Sequence, residues 1–110
     1  MIDPVQAQLD AYNARDVDGF IACYATDCIF EDGAGQRLMA THNEMRTRYT
    51  ALFASSPELH CELVRRTLIG AYVIDEEHIT GRVPEMKRAV VIYHVKNGLI
   101  HHVRFLRDDY

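Results

Sequence analysis

No stretch of this chain concentrates positive charge. Twelve Lys and Arg stand against sixteen Asp and Glu, for a formal net charge of −4, and the nearest thing to a basic cluster is the pair Arg65-Arg66. Nucleic acid is held through many phosphate contacts, so this balance argues against a nucleic-acid partner. Cysteine is scarce as well. Cys23, Cys28 and Cys61 form no C-x-x-C or mixed Cys/His spacing, and an odd number suits a reduced compartment better than a disulfide framework. They read as small core hydrophobes. No apolar run approaches the ~20 residues of a membrane span. The opening Met1-Ile2-Asp3-Pro4 lacks the basic-then-apolar pattern of a signal sequence, so a cytoplasmic location is expected. Repeats, linkers and low-complexity tracts are missing too. What remains is 110 residues, 48% of them hydrophobic, which suffices for one core and one domain over 1–110.

Local patterns then divide the chain. Asp3-Pro4, with Gln6 three residues after Asp3, marks a helix start as an N-cap, a proline at the first helical position and a partial capping box. Val5, Gln8, Leu9 and Tyr12 define one face of that helix. Asp16 caps a second, shorter helix carrying Phe20, Ile21 and Tyr24. Cys28–Asp32 reads as a short strand stopped by Gly33-Ala34-Gly35, and a weak strand includes Leu38-Met39. Thr41 and Glu44 form a capping box, and the spacing of Met45, Tyr49, Leu52 and Phe53 predicts a third amphipathic helix ending by Ser55-Ser56-Pro57. Beyond Leu59, β-branched and aromatic residues predict strands near 59–69, 71–81, 87–96 and 99–107. Asn97-Gly98 is the strongest turn signal, because both residues tolerate the positive φ of a type I′ hairpin. A two-residue loop there sets Val95 opposite Ile100, Tyr93 opposite His102 and Val91 opposite Arg104 on one face. The other face then carries Val90, Ile92, His94, His101, Val103 and Phe105.

Asn13-Ala14-Arg15-Asp16-Val17-Asp18-Gly19-Phe20, Tyr24-Ala25-Thr26-Asp27-Cys28-Ile29-Phe30-Glu31-Asp32 and Tyr93-His94-Val95-Lys96-Asn97-Gly98-Leu99-Ile100 resemble stretches of the ketosteroid isomerase and polyketide cyclase-like superfamily, also called nuclear transport factor two-like. The resemblance covers essentially the whole chain. It implies an α+β fold in which three helices of the N-terminal half and a cone-shaped, curved, mixed or antiparallel sheet enclose a pocket, a cystatin-like α+β barrel. It specifies a fold better than a reaction, since the scaffold hosts isomerases, cyclases, dehydratases and proteins without catalysis.

The resemblance implies roles for particular residues. Asp32 matches the proton-shuttling base of ketosteroid isomerases, a role that enzyme illustrates generally; the alternative is that Asp32 caps the turn before Gly33. Gln8 stands where the family carries a helix-1 tyrosine and is a poorer acid than a phenol. The family's acidic donor on the penultimate strand falls on Val91 or on Tyr93, and a phenol at Tyr93 would partly replace it. His102 joins as acid, base or orienting group if its face is concave, and is otherwise a half-exposed sheet histidine at a subunit interface. Tyr12, Tyr24, Phe30, Tyr49 and Phe53 are expected to form the core or the pocket wall. His101 and His102, being adjacent on a strand, point apart, so no metal site is expected, and no cofactor. The expected function is binding of an apolar small molecule, with proton transfer on a carbonyl compound as the enzymatic reading and a non-catalytic binding or dimerisation module as the alternative. The second face of the sheet, bearing Ile92, Val103 and Phe105, predicts a homodimer.

Overall fold

The side chain of Asp3 accepts the Val5 N–H at 2.9 Å and Pro4 takes the first helical position, so helix α1 (Pro4–Asn13) begins where its cap predicts. The computed structural model describes residues 3–108; Met1 and Ile2 of the opening, and the last two positions of the expected 1–110 domain, lie outside the described residues. Gln6 does not close a capping box. Its amide donates to Asp10 at 3.0 Å and its oxygen accepts from Arg66 at 2.9 Å. Val5, Gln8 and Leu9 form the buried face of α1. Asp16 caps the five-residue helix α2 (Val17–Ile21) by accepting the Gly19 N–H at 3.1 Å.

Strand β1 (Tyr24–Asp32) is longer than the segment the sequence marks, because Tyr24 and the residues from Ile29 to Asp32 pair with a strand from the far end of the chain. Strand β2 (Arg37–Ala40) returns antiparallel to it. Helix α3 (Thr41–Ser55) follows at once. The Thr41 hydroxyl accepts the Glu44 N–H at 3.3 Å, while the Glu44 carboxylate accepts the Ala40 N–H at 2.7 Å, so the capping box closes one residue early on its backbone side. Met45, Tyr49 and Phe53 are buried, as their spacing predicts. Strands β3 (His60–Ile69), β4 (Tyr72–Thr80), β5 (Arg88–Lys96) and β6 (Leu99–Arg107) complete one six-stranded sheet in the order β2-β1-β6-β5-β4-β3. Among the described residues only the β1–β6 pairing is parallel. The core lies between the helices and the inner face of this sheet.

Asn97 and Gly98 adopt φ of +54° and +76°, and Val95 pairs with Ile100 as a two-residue hairpin loop requires. The register then slips. His94 pairs with His102, Tyr93 with Val103 and Val91 with Phe105. His101 is the extra residue of a β-bulge, and a slip of one residue exchanges the faces of every side chain beyond it. Val103 and Phe105 therefore join Val91 and Tyr93 on the inner face, and His102 and Arg104 turn outward with His94 and Ile92. This corrects the expected pairing of Tyr93 with His102. Among the described residues no helix is long and apolar enough to cross a membrane.

Candidate functional site

Alternation along β4 sends Val73, Asp75, Glu77 and Ile79 inward, and all four are buried. Two carboxyl groups thus stand among apolar side chains, and their surroundings differ. Asp75, fully buried, faces Arg66 across the β3–β4 ladder. Arg66 donates from Nε to Oδ1 at 2.7 Å and from Nη2 to Oδ2 at 2.9 Å, and lies 3.7 Å from Asp3. That bidentate contact neutralises Asp75. Glu77 has no ion-pair partner among the described residues. Burial, then repulsion from Asp75, raises its pKa to about 7, against smaller opposing effects of a hydrogen bond with Cys61 and the charge of Arg66. A small residue, Ala89, sits opposite Glu77 on β5.

Glu77 opens onto a cavity of about 510 Å³ between the helices and the inner face of the sheet. Leu9, Phe20, Phe30, Ile79, Met86 and Phe105 give it mostly apolar walls. The polar groups form an ordered chain. The Tyr24 hydroxyl donates to Gln8 Oε1 at 3.1 Å, and Gln8 Nε2 donates to the Tyr93 hydroxyl oxygen at 3.1 Å and to the Val5 carbonyl at 3.0 Å. The Tyr93 oxygen is thereby an acceptor, and among the described residues nothing takes its proton. Burial, reinforced by Glu77, holds the Tyr93 phenol well above its ordinary pKa, so it is a neutral donor at physiological pH. Tyr12 and Tyr49, also on the wall, pack around Phe20, the Phe20 and Tyr49 rings lying 4.4 Å apart.

Of the residues singled out from sequence, Gln8, Tyr12, Tyr24, Phe30, Tyr49 and Tyr93 line the cavity. Val91 and Phe53 are buried in the core behind that wall. Asp32 is outside it, a correction to the expected base. Its Oδ1 accepts the Ala34 and Gln36 N–H groups, each at 2.9 Å, so it closes the turn between β1 and β2. His102 is also outside. The bulge turns it to the outer face, where its Nε2 meets Glu31 Oε1. Glu77 is the group that sequence reading missed. The pattern that marks it is the period of two in Val73-Ile74-Asp75-Glu76-Glu77-His78-Ile79, which puts Asp75 and Glu77 on the same face as Val73 and Ile79.

Comparison with solved structures supports this architecture. An uncharacterised cystatin-fold protein from Novosphingobium aromaticivorans superposes with a TM-score of 0.86 at 26% identity, over 94% of this chain and 95% of that one. A candidate polyketide cyclase from Sinorhizobium meliloti gives 0.80 at 21% identity, over 96% and 94% of the two chains. A candidate ketosteroid isomerase from Kribbella flavida gives 0.78 at 16%, over 97% and 76%. A search of curated protein sequences returns no significant match. Residues 5–103 match the SnoaL-like domain, and the chain belongs to that family.

Proposed function

We propose that the protein binds an apolar carbonyl compound in the cavity and moves a proton on it, with the Glu77 carboxylate as base and the Tyr93 hydroxyl as donor to the carbonyl oxygen. The observation that carries this reading is the placement of an unpaired buried carboxyl and an unclaimed phenolic proton on one apolar cavity wall. The carboxylate takes a proton from the carbon beside the carbonyl, negative charge develops on the oxygen, and a neutral phenol stabilises it without first losing a proton of its own. A base that titrates near neutrality suits this task, and exchange should rise with pH through about 7.

The test is exchange of the α-protons of 2-tetralone into heavy water, followed by NMR. Protein-dependent exchange should saturate with ketone and fall by about a hundredfold in Glu77→Gln. Exchange equal to that of the native protein in this variant would exclude Glu77 as the base. Saturable binding of 2-tetralone without any exchange would instead favour a non-catalytic binding module.

We propose further that two copies pair through the outer face of the sheet. That face carries Ile29 and Leu106, 39% and 40% exposed, beside half-buried Ile74, Val90 and Ile92. Val103 and Phe105, expected there from sequence, lie inward instead. Apolar groups adjoining across three or more strands are costly in water. Light scattering at micromolar concentration should return twice the 12.6 kDa of one chain; a single-chain mass would end this proposal.

A further inference from the structure

Three arginines stand on the rim of the cavity in a chain of net negative charge. Arg48 comes from α3, Arg82 from the loop after β4 and Arg107 from the end of β6. Their positions converge. The charges of all three favour ionisation of the Tyr49 hydroxyl, against the larger opposing effects of burial and Glu77, and Arg82 acts in the same way on Tyr12. Arg82 Nη1 donates to the Pro84 carbonyl at 2.8 Å, which anchors one arm of its fork. Arg48 makes no ion pair or hydrogen bond with any described residue.

The deep carboxyl does not neutralise this rim. The charges that act on Glu77 are those of Asp75 and Arg66. The cavity is therefore polarised, with the Glu77 carboxyl at depth, apolar walls between, and positive charge where water still reaches. A carboxylate is disfavoured beside Glu77 and is received at the rim by guanidinium forks whose geometry matches it. Because Arg48 is exposed and Arg82 partly so, the anion keeps part of its hydration there and escapes the cost of full burial.

We propose that the natural ligand is an amphiphilic carboxylic acid, whose ring-sized apolar body carries the reacting carbonyl group into the cavity and whose carboxylate sits at the rim against Arg48 and Arg82, with Arg107 beside them. This rests on the small-molecule reading of the cavity given above and adds the ligand's charge and its direction of insertion.

The probes are 2-naphthoate and its neutral methyl ester, titrated into the native protein at low salt with naphthalene fluorescence as readout. The acid should bind about tenfold more tightly than the ester, as charge-assisted hydrogen bonds warrant, and the preference should shrink as salt rises. In Arg48→Gln/Arg82→Gln the acid should fall to the affinity of the ester while the ester is unchanged, its unchanged binding showing that the cavity is intact. An ester that binds native protein as tightly as the acid overturns the proposal and leaves the cavity reading standing. Failure of both probes to bind overturns both. The comparison on native protein decides the matter even if the double variant does not fold.

Discussion

Glu77→Gln is expected to melt about 10 °C above the native protein near pH ~8 and at the same temperature near pH ~4.5. The sign follows from burial. The Glu77 carboxyl has an ordinary pKa of 4.5 when exposed and about 7 in the fold, so between those values the folded state holds a proton that the unfolded chain has released. Stability is then fully present below the lower value and is lost as pH rises through the higher one. The gap corresponds to about 3 kcal/mol. Glutamine keeps the shape and the capacity to accept from Cys61, and carries no charge at any pH, so the variant escapes this loss. Thermal melts across that range, at fixed protein concentration because dimerisation would also move the midpoint, check the result. Equal shifts at both ends of the range would show that water already solvates the carboxylate. The same substitution should cut proton transfer about a hundredfold. A stability gain coupled to loss of activity is the signature of a group kept for function at a cost to the fold.

The second large effect is expected at the buried ion pair. Arg66→Met keeps much of the side-chain stem but leaves Asp75, which is 0% exposed, without its cation. Removing one partner of a buried pair costs about 3–5 kcal/mol, because the remaining charge is neither hydrated nor matched. Arg66 also lowers the pKa of Glu77, so the pH at which proton exchange turns on should move upward in the variant. Urea titration at neutral pH reads the first effect as a lower midpoint at constant slope. A loss below about 1 kcal/mol would mean that the pair behaves as a surface contact. Arg66→Met/Asp75→Leu should recover much of the loss, since an apolar pair of similar volume incurs no charge burial.

These two carboxylates show where sequence reading stops. Asp32, Asp75 and Glu77 all lie on strands and all belong to stretches whose alternation is visible in the chain. Asp32 has two turn N–H groups to satisfy, Asp75 has Arg66, and Glu77 has neither. Those differences come from β2 folding back on β1 and from β3 pairing with β4. Asp75 and Arg66 are nine positions apart and meet only because the β3–β4 register sets them opposite each other. A family resemblance directs attention to Asp32, but the turn chemistry of Asp before Gly prevails there. His102 was displaced by a subtler cause. The Asn97-Gly98 loop was legible and correct, yet a single bulged residue, His101, exchanged the faces beyond it. No local pattern announces that bulge, which lies where β6 is held between the parallel strand β1 and the antiparallel strand β5.

The order of the helices and strands and the hairpin loop at Asn97-Gly98 are legible in the chain alone, because they depend on caps, turn residues and periodicity, which act between residues close along the chain. Tyr24, expected on the second helix, instead opens β1, and the six cavity-lining side chains named above follow from the family resemblance. Which carboxyl group lies buried without a cation, which face of β6 looks inward, and the placing of arginines from a helix, a loop and a strand end around one cavity are settled by the folded chain. Desolvation and charge pairing are properties of what surrounds a group in space, and the strand pairings that create those surroundings join residues far apart in the chain.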